Sequence, residues 1–146
     1  MIRPVNSASR PFLRWKTSAA CNAGQVLKVG SSLALPIAAG DGATAIILGV
    51  CVEDVASGGL AYIYPANQEF EFDIYQGSTI DTGALEYQGV AYDVYVDGAA
   101  GDLSAEGEMY LNINDTGDGF ILLSQYDNVR RVATGNFIKA SRYLGA

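Results

Sequence analysis

Asp-Thr-Gly occurs twice in this chain, at Asp81-Thr82-Gly83 within TIDTGAL and at Asp115-Thr116-Gly117 within NINDTGDG. Two carboxylates sharing one proton could activate water, because like charges held close cannot both ionise. The same triplet is also an ordinary turn, in which Asp bonds its own backbone and Gly takes positive φ. Glu53 and Asp54 form another carboxylate pair, at the end of the most apolar segment. An acid/base role is conceivable there, while ending a strand and setting the turn into Ala56-Ser57-Gly58-Gly59 is the plainer one. Asn112, Asn114, Asp115 and Asp118 offer oxygen ligands, but their order departs from the Asp-x-Asx-x-Asx-Gly calcium loop with its distal Glu. Gly117 and Gly119 suit a hairpin turn instead. The nine tyrosines could line a sugar-binding face, yet period-two placement makes most of them cross-strand packing residues.

The chain has no histidine. That removes the Ser-His-Asp triad, the Cys-His pair and every imidazole metal site. Cys21 and Cys51 are far apart in small, apolar surroundings and match no metal-ligand spacing. They read as buried free thiols, with a single disulfide left open. The first Asp-Thr-Gly resembles the active-site sequence of aspartic proteases, in which an apolar residue precedes the triplet and Ala or Ser follows. The second has Asn114 before it and Asp118 after it. The apolar-apolar-Gly motif that should follow the triplet instead precedes it, as Ile47-Leu48-Gly49. The triplets are read as turns, and no catalytic, cofactor-binding or metal-ligating set is expected. A hydrolase using Asp81 remains an alternative.

Charge is sorted along the chain. Arg3, Arg10, Arg14, Lys16 and Lys28 stand in front, Arg130, Arg131, Lys139 and Arg142 behind, and all sixteen acidic residues between Asp41 and Asp127. Either the basic ends lie across the acidic body and relieve its self-repulsion, or they reach toward an acidic neighbour. The acidic body disfavours nucleic acid, which needs a basic stripe. No apolar run is long enough to span a membrane, and the N-terminus lacks the apolar region of a secretory signal. The chain therefore reads as a protein made in a cytoplasm.

The length of 146 residues suits one domain, able to bury roughly 70% of its unfolded surface. Residues 1–23 are polar and aperiodic, carry Pro4 and Pro11, and predict an extended N-terminal arm. Phe12 and Trp15 are the residues that would anchor it in pockets. Residues 24–146 predict an all-β domain, a single compact β-sandwich or β-barrel. Strands are read at GQVLKVG, SLALPI, TAIILGVCVE, GLAYIYP, EFEFDIY, GVAYDVYV, EMYLNI, GFILLSQY and VRRVATGNFIK. Val90, Tyr92, Val94 and Val96 share one face, as do Met109, Leu111 and Ile113. QGSTIDTGALEYQG and DGAAGDLSAEGE read as loops.

With these segments laid out, the chain resembles the capsid decoration (cement) proteins of tailed bacteriophages. The resemblance rests on GQVLKVGSSLALPIAAGD, on ILGVCVEDVASGGLAYIYPA with its Gly-Val-x-x-Glu-Asp turn, and on GFILLSQYDN and TGNF. It implies a non-enzymatic virion protein, assembled in the host cytoplasm onto the outer surface of an icosahedral head. Its partners would be the major capsid protein and further copies of itself, as a homotrimer at local three-fold positions. The residues expected to touch capsid or neighbouring subunits are Arg3, Arg10, Phe12, Arg14, Trp15 and Lys16. A carbohydrate- or receptor-binding module on the virion surface, using exposed Tyr and Asp side chains, is the other reading.

Asp81→Asn tests the turn assignment. Pepstatin-sensitive proteolysis should be absent from both proteins, and denaturant melts should show a loss of about 1 kcal/mol at most.

Overall fold

Period-two alternation places every second side chain of a strand on one face, and the chain uses this to build two antiparallel sheets. The computed structural model describes residues 2–6, 8, 10, 13–38, 41, 45–74, 91–96, 109–112, 121–127 and 129–138. Its strands are β1 (Ile2–Pro4), β2 (Leu13–Lys16), β3 (Val26–Gly30), β4 (Leu33–Pro36), β5 (Ile47–Cys51) and β6 (Leu60–Pro65). They continue with β7 (Glu69–Asp73), β8 (Ala91–Val96), β9 (Met109–Asn112), β10 (Ile121–Asp127) and β11 (Val132–Phe137). Among the described residues there is no helix, and so none that could cross a membrane. One sheet has the order β1-β7-β11-β10-β8-β9 and the other β2-β6-β5-β3-β4. The all-β expectation holds, and the arrangement is that of a sandwich.

The larger core lies between the sheets. Phe70, Phe72, Ile121, Leu123 and Phe137 of the first sheet meet Val26, Ile47 and Val50 of the second. Phe137 packs edge-on against Phe70 and Phe72, with centroids 5.3 and 5.7 Å apart. Tyr92, Val94, Met109 and Leu111 are buried there too, as their alternation predicts. A second core of Leu27, Ala34, Leu48, Ala61, Ile63 and both cysteines fills the other face of the five-stranded sheet. That sheet curls until Thr17, just past β2, bridges Ala34 of β4.

Strand β5 serves both cores and is buried along its whole length. Strict alternation would put Ile47 and Val50 on opposite faces, yet both enter the larger core while Leu48 and Cys51 enter the smaller one. A β-bulge re-phases the strand: Leu27 pairs with Gly49 but Lys28 with Ile47. Gly49 sits at φ 152°, with the Tyr64 carbonyl so close that a Cβ would lie 1.9 Å from its oxygen. Only glycine fits this crossing.

Two described parts of the N-terminal segment, β1 and β2, are extended and pair as an edge strand of each sheet. Ile2 pairs with Phe72 and is 2% exposed, and Leu13 to Lys16 pair with Ile63 to Leu60. Edge positions are where a strand tolerates Pro4. Cutting the chain after Lys16 would therefore strip one strand from each sheet and remove Ile2 from the core.

Two glycine variants separate crowding from backbone strain. Gly58 also has positive φ (81°), but a Cβ there would meet nothing within 4 Å. Gly58→Ala should cost about 1–2 kcal/mol in urea melts, the left-handed penalty alone, whereas Gly49→Ala should cost on the order of 4 kcal/mol or prevent folding.

Candidate interaction surface

Of the basic residues in the front segment, Arg3 and Lys28 are ion-paired within the chain. Arg3 on β1 faces Glu71 on the neighbouring β7. Its Nε donates to Glu71 Oε1 at 2.9 Å, and Nη1 and Nη2 reach Asp73 Oδ1 at 3.3 and 3.2 Å. Burial alone would lower the guanidinium pKa, but the two carboxylates outweigh it and raise the value. Lys28 Nζ pairs with Asp41 Oδ2, which also accepts the Ala38 N–H at 2.7 Å. Burial alone would raise the Asp41 carboxyl, yet Lys28 and the Ala38 N–H hold it below the usual carboxylate range. Both pairs join an acidic body to the basic front of the same chain.

Arg14 and Lys16 are placed differently. Along β2, Leu13 and Trp15 turn into the second core, which points Arg14 and Lys16 to the other side, where both are exposed. Trp15 is pinned there by its indole N–H, which donates to the Ser32 carbonyl at 2.9 Å. Ser31 and Ser32, with φ of 51° and 67°, form the two-residue turn between β3 and β4. On β6, Ala61 and Ile63 enter the second core, so Leu60, Tyr62 and Tyr64 share the opposite face. Tyr64 is covered by the larger core, but the six-stranded sheet does not extend over Leu60 and Tyr62, which are 48% and 37% exposed. Register sets Arg14 against Tyr62 and Lys16 against Leu60. The result is a two-strand surface of two cations and two large apolar side chains. Neither Arg14 nor Lys16 forms an ion pair among the described residues.

The six residues singled out from sequence thus divide. Arg14 and Lys16 stand together at this surface. Arg10 is exposed outside any strand, Arg3 is ion-paired within the chain, Trp15 is part of a core, and Phe12 lies outside the described residues. Asp81, Asp115 and both loop segments also lie outside them. Leu60 and Tyr62 were not singled out. Their signal was the run Leu60 to Tyr64, which is apolar on both faces although only one face is covered along the half that begins at Leu60.

Among the described residues no group of three or more His, Cys, Asp or Glu side chains could hold a metal ion. Asp54 clasps a loop, its Oδ1 accepting the Ala23 N–H at 2.9 Å. Cys21 and Cys51 are free and buried in the second core. Burial, then the neighbouring Cys51, pushes the Cys21 thiol up to about 11, and burial likewise raises Cys51. Such thiols are poor nucleophiles. No protein-family model matches the chain, and no curated protein matches it.

The Asp41 clasp predicts a pH dependence. A depressed folded pKa stabilises above the unfolded value of about 4 and loses that contribution as pH falls through the folded value. Asp41→Asn should therefore cost about 1–2 kcal/mol at neutral pH, and melts of the two proteins should converge in acid.

Proposed function

We propose that this protein is a virion structural protein that binds the outer surface of an icosahedral phage head and stabilises the major capsid lattice, without catalysis. The observation that carries this reading is the uncovered β2–β6 surface, where Arg14 and Lys16 flank Leu60 and Tyr62. The resemblance of the Gly24–Asp41, Ile47–Ala66, Gly119–Asn128 and Thr134–Phe137 segments to decoration proteins supports it. An apolar centre with cationic neighbours suits an acidic partner surface, where charge steers the encounter and buried side chains hold it. A lattice repeats the contact many times, so each copy can bind modestly.

The same surface favours a homotrimer. A copy of this chain offers the acidic body that Arg14 and Lys16 would meet, and a head-to-tail contact of that kind closes as a ring. Three copies would suit a local three-fold position on a head. Charge pairing at its rim would weaken as salt rises, because screening acts within about 8 Å at physiological ionic strength.

Co-sedimentation with empty expanded heads tests the reading. Arg14→Glu combined with Lys16→Glu should leave the melting curve unchanged and weaken head binding more than tenfold, about 1.4 kcal/mol or more. Wild-type occupancy by this variant would overturn the assignment of the surface. A solution mass of one chain, both free and after release from heads, would overturn the trimer.

A further inference from the structure

The outward face of the six-stranded sheet carries a second constellation, on strands that take no part in the β2–β6 surface. Register aligns Glu71 of β7, Thr134 of β11 and Gln125 of β10 in one row across three neighbouring strands. The next row holds Asp73, Val132 and Asp127. Between them lies a cleft of about 200 Å³, lined by Glu71, Gln125, Asp127, Arg130, Val132 and Thr134.

Two local devices build this cleft. The first is a β-bulge: Leu123 pairs with Gly135 and Gln125 with Thr134, leaving Ser124 as the extra residue. Ser124 and Gln125 are therefore exposed in succession, and the bulge carries Gln125 into the row with Thr134 and Glu71. Gly135 permits the close strand approach beside it, since a Cβ there would lie 2.6 Å from the Leu122 carbonyl oxygen. The second device is the β10–β11 turn. Asp127 Oδ1 accepts the N–H groups of Val129 and Arg130, at 2.9 and 3.1 Å, and Arg131 takes a positive φ of 54°. This fixes the backbone that presents Arg130 over the cleft.

The polar groups keep unused capacity. Asp127 Oδ1 is occupied by the turn, which leaves Oδ2 to accept. The Gln125 amide has no hydrogen bond among the described residues, and Arg130 Nη2 stands 3.9 Å from Glu71 Oε1, beyond hydrogen-bond range. Thr134 Oγ1 exchanges a hydrogen bond with Ser124 Oγ at 3.1 Å and has a lone pair to spare. The cleft thus offers carboxylate acceptors, a forked guanidinium donor, and an amide and a hydroxyl that both donate and accept. Two carboxylates disfavour an anion, and Arg130 with the nearby Arg3 disfavours a cation. A neutral group bearing adjacent hydroxyls satisfies such a set, because each hydroxyl donates once and accepts twice. The volume lies below the ~300–1,000 Å³ of drug-sized sites, which suits one ring rather than an extended chain.

We propose that this cleft binds a neutral saccharide ring through Gln125, Asp127, Arg130 and Thr134. Titration of the isotopically labelled protein with glucose, galactose and N-acetylglucosamine tests it, with glucuronate as the charged control. At least one neutral sugar should give saturable shifts at the Gln125 side-chain amide and at the Arg130 and Thr134 backbone amides. Gln125→Ala and Arg130→Ala, both surface changes, should each weaken that binding about tenfold, or 1.4 kcal/mol, with unchanged melting. The proposal fails if no neutral sugar saturates by about 100 mM, well past a millimolar Kd. It also fails if glucuronate binds as tightly or if both variants bind like the wild type. Head binding uses other residues, so failure here leaves the capsid reading untouched.

Discussion

Strand β5 is buried on both faces, and a one-residue slip at Leu48–Gly49 decides which core each of its later side chains enters. Without that slip, Val50 and Cys51 would exchange sides, placing a valine where the cysteine packs and a thiol among the phenylalanines. The close contact between Gly49 and the Tyr64 carbonyl is the geometric condition for it. On the neighbouring strands, β3 divides Val26 from Leu27 between the two cores, and β6 buries Ala61 and Ile63 on the far side. Leu60 and Tyr62 stay uncovered because the six-stranded sheet does not extend over them.

Charge sorting along the sequence becomes a division of labour in space. Arg3 and Lys28 neutralise carboxylates of their own chain, at partly buried positions where an unpaired charge would be costly. Arg14 and Lys16 stand on an outward strand face with no acidic neighbour across the register. The account in which the basic front relieves the acidic body of its own chain therefore applies to Arg3 and Lys28. The dividing factor is strand register rather than position along the chain.

Nine of the eleven described strands were legible, because each is a short apolar segment between turn residues and several alternate with period two. The other two, β1 and β2, were not. Each spans three or four residues, β1 contains Pro4, and Ile2 is a lone apolar residue whose burial depends on Phe72 in a distant segment. The bulges in β5 and β10 were equally hidden, since an extra residue shows only against its partner strand. The same limit governed the sites. Arg14 and Lys16 could be singled out as cations near the N-terminus, but Arg3 could be separated from them only through Glu71, 68 positions away. The row of Glu71, Thr134 and Gln125 joins three segments with no common motif.

The two sheets also differ in how they use the chain. The five-stranded sheet is drawn wholly from residues between Leu13 and Pro65, whereas the six-stranded sheet takes the first strand and the last five. Strand β7 lies between β1 and β11, so it has β1 beside it but lacks its second neighbour until Val132–Phe137 has been synthesised. On a ribosome, everything needed for the smaller sheet has emerged while much of the larger one has yet to be made. Non-local pairing is slow, and a sheet waiting for its partner leaves apolar surface bare. Val26, Ile47 and Val50 form the surface that waits. Until then the nascent chain bares a face that the finished protein hides completely. Pulse-labelled exchange showing β7 protected before β3 and β5 would contradict that order.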